Sequence, residues 1–197
     1  MAATLLLPTQ KSLQTVAGQG WRIATRVGAS QIPGAGNGRF AEEAAETGRC
    51  LSVKPLVKMA HVENLTRLPA DRVIAFETTS DLEAYVTMNV MEGGYTRKAV
   101  LDIIENFVWS LDGQRACLCT STWSMNHAKD NAEGLNVLKS IVDDTVVGTA
   151  LGPITPGDEL RNNYCDFVMP DFYLKYCEEN GFVDVRTKVL SVTGQLA

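Results

Sequence analysis

Residues 156–167 read PGDELRNNYCDF, and the fold turns on how this run is understood. Pro156, Gly157 and Asp158 make a turn, and the preceding TVVGTALGPI (residues 145–154) alternates as a short strand broken by Gly and Pro. Tyr164, taken alone at the end of an apolar strand, reads as packing. Two other runs need to be explained together with this one. SQIPGAGNGRFA (residues 30–41) gathers Pro33, Gly34, Gly36 and Gly38 into a tight loop, which alone is more often a turn than a ligand site. SMNHAKDN (residues 124–131) sets one of the two histidines of the chain between two asparagines, with no cluster of acids or cysteines beside it. An isolated histidine of that kind is ordinarily a satisfied core or surface residue.

Composition narrows the classes. A chain of 197 residues that is 45% hydrophobic supports one substantial core and a small appendage. Eighteen basic residues against 23 acidic ones, a formal charge of −5, give no basic field able to hold a phosphate backbone, so no direct nucleic-acid partner is expected. The acids Glu42, Glu43, Glu46, Asp143 and Asp144 read as solvated faces. Five cysteines at irregular spacing, with no secretory apolar segment before them, predict a reduced intracellular setting. Cys117-x-Cys119 lacks the histidines at finger-like spacing that a closed zinc site needs, so no metal is expected. No apolar run approaches the ~20 residues that span a bilayer, and no membrane partner is expected. The first 41 residues contain no acid, and their first part is compatible with an organelle transit segment or with an ordinary terminus.

Periodicity gives the elements. Residues 21–28, 49–57, 72–79, 115–123, 135–142 and 145–154 read as strands. Ser80-Asp81-Leu82-Glu83 matches a capping box, predicting a helix of about ten residues stopped by Gly93-Gly94. From Thr96, the apolar positions Val100, Ile103, Ile104, Phe107, Val108 and Leu111 recur at helical spacing up to Asp112-Gly113. MPDFYLKYCEENG (residues 169–181) predicts a short helix with Pro170 in its first turn and Gly181 beyond its end. Many short strands around a helical insertion predict an α+β domain, mainly β, rather than a doubly wound parallel sheet.

In their order and spacing, SQIPGAGNGRFA, NHAKDN (126–131) and ITPGDELRNNY (154–164) resemble the SET-domain protein lysine methyltransferases, with their GxG loop, Asn-His segment and closing G-E-E-L-x-x-x-Y segment. The resemblance covers residues 20–168. It implies several small β-sheets with a threaded, pseudoknot-like C-terminal segment, S-adenosylmethionine as cofactor (S-adenosylhomocysteine as product), and a protein or peptide substrate bearing lysine, a histone among the candidates. On that basis residues 1–19 are an N-terminal extension, 20–168 the catalytic domain with a variable insertion at 55–115, and 169–197 a C-terminal helical segment. A nuclear or cytoplasmic location follows, with organelle targeting left open.

The same resemblance assigns the site. Gly36, Asn37, Gly38 and Arg39 fall in the cofactor loop, Asn126 and His127 in the cofactor-facing pair, and Tyr164 at the transferring methyl as catalytic and cofactor-contacting residue. Glycines at 36 and 38 would let backbone amides approach a cofactor that a Cβ would keep away. Phe167, Phe172, Tyr173 and Tyr85 are the candidates for an aromatic lysine channel, with Tyr95 and Trp123 behind them, although core packing competes for each. Glu159 reads as structural. Ala128 and Lys129 stand where the family has Ser and Cys, no proline precedes Asn131, and Asn163 replaces an acid, so a zinc site after the closing segment is lost and the helix from Asp171 is expected to close the site. Two other readings remain: a binding module of the same fold with little or no turnover, and methylation of a small amine, which differs only in the groove of residues 55–115.

Overall fold

The computed structural model describes residues 20–120, 125–128 and 134–193. Residues 1–19, Trp123, and the positions Lys129, Asp130 and Asn131 lie outside the described residues. In chain order the elements are β1 (Thr25–Ala29), β2 (Asn37–Ala41), β3 (Cys50–Lys58), β4 (Val73–Phe76), α1 (Thr79–Gly93), α2 (Arg97–Phe107), β5 (Ala116–Cys119), β6 (Asn126–His127), β7 (Val137–Val142), β8 (Thr145–Ala150), β9 (Glu159–Asn162), α3 (Asp171–Asn180) and α4 (Val185–Thr193). This is an α+β fold with mixed sheets. The chain forms two compact units: a sheet unit from 20–55, 125–128 and 134–164, and a helical unit from 56–120 and 165–193.

In the sheet unit, β9 is the pivot. It pairs antiparallel with β2, which pairs with β1, and parallel with β6, so the glycine-loop strand and the Asn-His strand flank the closing strand. A second ladder runs from residues 50–55 of β3 to β8 and on to β7. Their inner faces meet in a core of Trp21, Ile23, Ala41, Ala45, Leu51, Met125, Val137, Ala150, Ile154 and Leu160. Residues 21–28 do not form one strand as expected. Trp21 makes a lone bridge to Ser52, and the regular strand begins only at Thr25, opposite Ala41.

In the helical unit, Leu56–Lys58 pair parallel with β4, whose other edge pairs antiparallel with β5. The capping box starts α1 two residues earlier than expected. Thr78 is extended and accepts from the Asp81 amide, while Asp81 accepts from the Thr78 amide. Glu83 is engaged elsewhere, accepting from both terminal nitrogens of Arg97 at 2.8 and 2.9 Å and from the Tyr176 hydroxyl at 2.8 Å. Helix α2 buries Val100, Ile103 and Ile104 at i, i+3, i+4 spacing, a burial that stabilises by ~1.5–3 kcal/mol per side chain. It ends at Phe107, not at Asp112, because Trp109 leaves the helical path to exchange two backbone hydrogen bonds with Cys117. Helix α3 has Pro170 at its N-cap and Gly181 in the left-handed conformation at its end. Among the described residues, no helix is long and apolar enough to cross a membrane, and no three or more His, Cys, Asp or Glu side chains cluster as metal ligands.

The β7–β8 hairpin turns on Asp143 and Asp144, at φ 45° and 53°. Two consecutive left-handed residues make a two-residue turn of the type that favours Asn-Gly, whereas a Cβ in that region is crowded by the following carbonyl. The double substitution Asp143→Asn, Asp144→Gly is expected to raise stability by about 1 kcal/mol. Chemical denaturation measures it; an unchanged or lower midpoint would contradict the turn assignment.

Candidate functional site

The three runs of sequence that call for a common explanation meet in the sheet unit, around one carboxylate. The Glu159 side chain is 1% exposed and accepts hydrogen bonds from the Ser30 hydroxyl (2.7 Å), the Gln31 amide (2.9 Å), the Asn126 Nδ2 (2.9 Å) and the Arg161 Nη2 (2.9 Å). Ser30 and Gln31 lie at the start of the glycine loop, Asn126 opens β6, and Arg161 is two residues along β9 from Glu159 itself. Burial alone would raise the carboxyl's pKa. The hydrogen bonds from Ser30, Asn126 and Arg161 and the Gln31 amide outweigh it and hold the group below the usual glutamate range.

The loop conformation follows from this anchor. Ser30 turns the chain through its hydroxyl, which accepts from the Ile32 amide, and its own amide donates to the Gly36 carbonyl. Gly34 and Gly36 sit at φ 80° and 71°, where any other residue is strained, and open space surrounds them. Gly38 has a different reason to be glycine from the one expected. A Cβ there would lie 2.1 Å from the Glu159 Oε1, so it is the carboxylate, not a cofactor, that excludes a side chain in this structure.

Asn126 is oriented by three acceptors. Its Nδ2 reaches the Ser30 hydroxyl (3.0 Å), the Asn37 carbonyl (3.1 Å) and Glu159, and its side-chain oxygen receives no hydrogen bond from a described residue. The buried Oδ1 of Asn162, in β9 directly opposite His127, likewise has no partner among the described residues. Tyr164 clasps β6 from the other side: its amide donates to His127 Nδ1 at 3.0 Å and its hydroxyl to the Met125 carbonyl at 2.7 Å, with the two rings 5.4 Å apart. Burial pushes the Tyr164 phenol well above its ordinary pKa. Asn136 completes the frame. Its amide group donates to the Glu159 carbonyl and accepts from the Arg161 amide, covering a stretch of β9 much as a neighbouring strand would.

Other expected residues have internal roles. Arg39 is buried, donates to the Thr25 hydroxyl at 2.9 Å and stacks its guanidinium 4.8 Å above Trp21, so it packs inward rather than offering its charge to a ligand. In the helical unit, Tyr85 is buried edge-on against Phe76, Phe167 lies buried beside Trp109, and Tyr173 is buried with its hydroxyl on the Ile104 carbonyl. Those three rings are core residues, which is the competing fate noted for them. Phe172 is half-buried in the first turn of α3. Sequence reasoning passed over Ser30, Gln31, Asn136 and Arg161. The available signal was an acid and an arginine alternating with Leu160 and Asn162 in a strand, which asks for buried partners.

No family model matches the sequence, and no curated protein does. Solved structures do. The apo Polycomb Repressive Complex 2 of Chaetomium thermophilum in an autoinhibited state matches with a TM-score of 0.50 at 20% identity, over 81% of this chain and 17% of that one. The same complex in an autoinhibited conformation bound to S-adenosylmethionine gives 0.48 at 20% identity, over 81% and 17%. A humanized mutant bound to the inhibitor GSK343 gives 0.48 at 18%, over 79% and 16%. The chain thus spans about a sixth of the length of these chains. At such identity the likeness is one of fold, an α+β arrangement consistent with a SET-type architecture.

Two outcomes test the carboxylate anchor. Gly38→Ala forces Glu159 away from its donors and is expected to cost about 2–3 kcal/mol, read by chemical denaturation; a loss of a few tenths would mean the network yields freely. Because the folded Glu159 pKa lies below the 4.5 of the free group, its contribution is fully present above pH 4.5 and is lost as pH falls through the folded value. The stability gap between wild type and Glu159→Gln therefore narrows in acid, and a gap constant down to denaturation would contradict the assignment.

Proposed function

We propose that this chain binds S-adenosylmethionine in the sheet unit and transfers its methyl group to a lysine side-chain amine of a protein substrate. The observation that carries the proposal is the Glu159 network, which brings the glycine loop, Asn126 and the strand leading to Tyr164 to one place. The SET-type fold likeness supports it. With it go the threading of the closing segment, a catalytic domain over 20–168, a protein partner such as a histone tail, no direct contact with nucleic acid, and a nuclear or cytoplasmic location.

The residues present suit the cofactor. Two acceptors that receive no hydrogen bond from a described residue, the side-chain oxygens of Asn126 and Asn162, match an ammonium and an aromatic amine, the donor groups of S-adenosylmethionine. The open, left-handed turn at Gly34 and Gly36 leaves backbone free to approach it. When bound, the cofactor supplies an electrophilic methyl on a positively charged sulfur. The chain's own part is to hold and orient. Asn126, whose Nδ2 is held by three acceptors, has little side-chain entropy left to lose on binding.

On this reading Tyr164 orients rather than abstracts a proton: its hydroxyl donates to the Met125 carbonyl, and burial raises its pKa, which disfavours the phenolate that a general base would need. The remaining lone pairs of the oxygen can accept weak C–H···O contacts from a polarised methyl and orient it in line. A lysine amine, of ordinary pKa ~10.4, must then give up its proton to solvent before attack, a loss favoured beside a positive sulfonium. The alternative, a module of the same fold that binds without turnover, draws on one observation: the Asn126 Nδ2 and the Tyr164 hydroxyl both have partners inside the protein.

Calorimetry with S-adenosylhomocysteine followed by labelled-methyl transfer to a peptide array separates the readings. Wild type should bind, and Asn126→Ala should bind about tenfold or more weakly. Tyr164→Phe should keep affinity within a few fold yet lower transfer about 100-fold through misplacement. Absence of binding by wild type refutes the proposal. Binding without transfer to any peptide selects the module.

A further inference from the structure

The parallel pair β6–β9 ends in an unusual way. The Ala128 amide donates to the Asn162 carbonyl at 3.1 Å, as a parallel ladder requires. The next rung of such a ladder would run from the Tyr164 amide to the Ala128 carbonyl. Instead the Tyr164 amide donates to a side chain, Nδ1 of His127, at 3.0 Å. The imidazole therefore stands in the place of a backbone acceptor at the point where the chain leaves β9. The Tyr164 hydroxyl returns to Met125, the residue before the Asn-His pair, so Tyr164 is tied at both ends to the residues that flank Asn126.

We propose that the His127 side chain is the positioning residue for Tyr164: a neutral imidazole, with its proton on Nε2, whose Nδ1 sets the height of the tyrosine backbone and hence the direction of its hydroxyl. This deepens the methyl-transfer proposal and rests on it for the meaning of Tyr164, but not for the geometry. An amide N–H pointing at Nδ1 demands a lone pair there, which fixes the tautomer. Phenol placement is then determined by two hydrogen bonds on opposite ends of one residue. Losing the backbone bond frees the first of them, and a displacement on the order of 1 Å at an orienting group costs about 100-fold in rate. Asparagine is the informative replacement, because its Oδ1 falls near the position of Nδ1 and can accept the same amide.

The two histidines make a direct test possible on the full chain. His61 is exposed and serves as an internal reference, so a ring-nitrogen spectrum of histidine-labelled protein contains only two spin systems. At neutral pH the signals that vanish in His127→Asn should report the Nε2–H tautomer with an unprotonated, hydrogen-bonded Nδ1. In His127→Ala the Tyr164 amide should exchange about tenfold faster, the loss expected for one hydrogen bond, and His127→Asn should restore most of the protection. The Asn variant should likewise recover kcat for methyl transfer that the Ala variant loses, with cofactor affinity changed far less than kcat. An Nδ1–H tautomer in wild type, or Tyr164 exchange indifferent to the Ala substitution, overturns the proposal. Wild-type protein with the expected tautomer but no methyl transfer to any substrate would instead refute the enzymatic reading and leave the His127–Tyr164 link standing.

Discussion

A single buried carboxylate holds the sheet unit's three distant runs of sequence together. Glu159 brings a negative charge into a region where only 1% of its side chain meets water, a placement that would be strongly unfavourable without partners. Four donors from four different residues supply them, one a cation. In a medium of low dielectric such charge-assisted bonds are shorter and stronger than those at the surface, and removing any one leaves the rest unbalanced. The loop cannot relax away without exposing the acid, and Asn126 cannot rotate without abandoning it. Gly38 exists in that setting because the carboxylate fills the space a methyl would take.

From this anchor the rest of the site follows in sequence. Strand β9 carries Glu159 at one end and, two residues past its other end, Tyr164. Leu160 belongs to the core cluster with Met125 and Ile154, which fixes which face of β9 the acid and Arg161 occupy. Asn136 holds β9 through its side chain, at the Glu159 carbonyl and the Arg161 amide, and through its own backbone amide, at the Arg161 carbonyl. His127 and Met125 capture Tyr164 as the ladder ends. Orientation is thus built into the backbone, and the tyrosine need only present a protonated oxygen.

Much of the fold was legible in the sequence, and the misses have physical causes. The stripe of Val100, Ile103 and Ile104 identified α2 because helical periodicity survives any tertiary context. Its end was misplaced since Val108 and Leu111 keep the apolar period while Trp109 is drawn off to pair with Cys117, a long-range demand that local spacing does not encode. The α1 cap was displaced for a similar reason: Ser80 and Glu83 fit the pattern, but Arg97 and Tyr176 claim Glu83. In the site, the glycine loop, Asn126, His127 and Tyr164 could be singled out by motif. Ser30, Gln31 and Arg161 could not, because they act through an acid nearly 130 residues away from the first two in sequence. Arg39 and three of the aromatics expected at a lysine channel show the converse, in which residue types suited to ligands also serve the protein's own packing.

The central claim is that the anchored runs form one cofactor site within the sheet unit. Amide chemical-shift mapping on labelled protein during titration with S-adenosylhomocysteine tests it most directly. The largest changes should fall together on residues 30–39, 126–128 and 160–164, saturating with one affinity. Shifts scattered over the helical unit with these segments silent, or no saturable change at millimolar ligand, would contradict it.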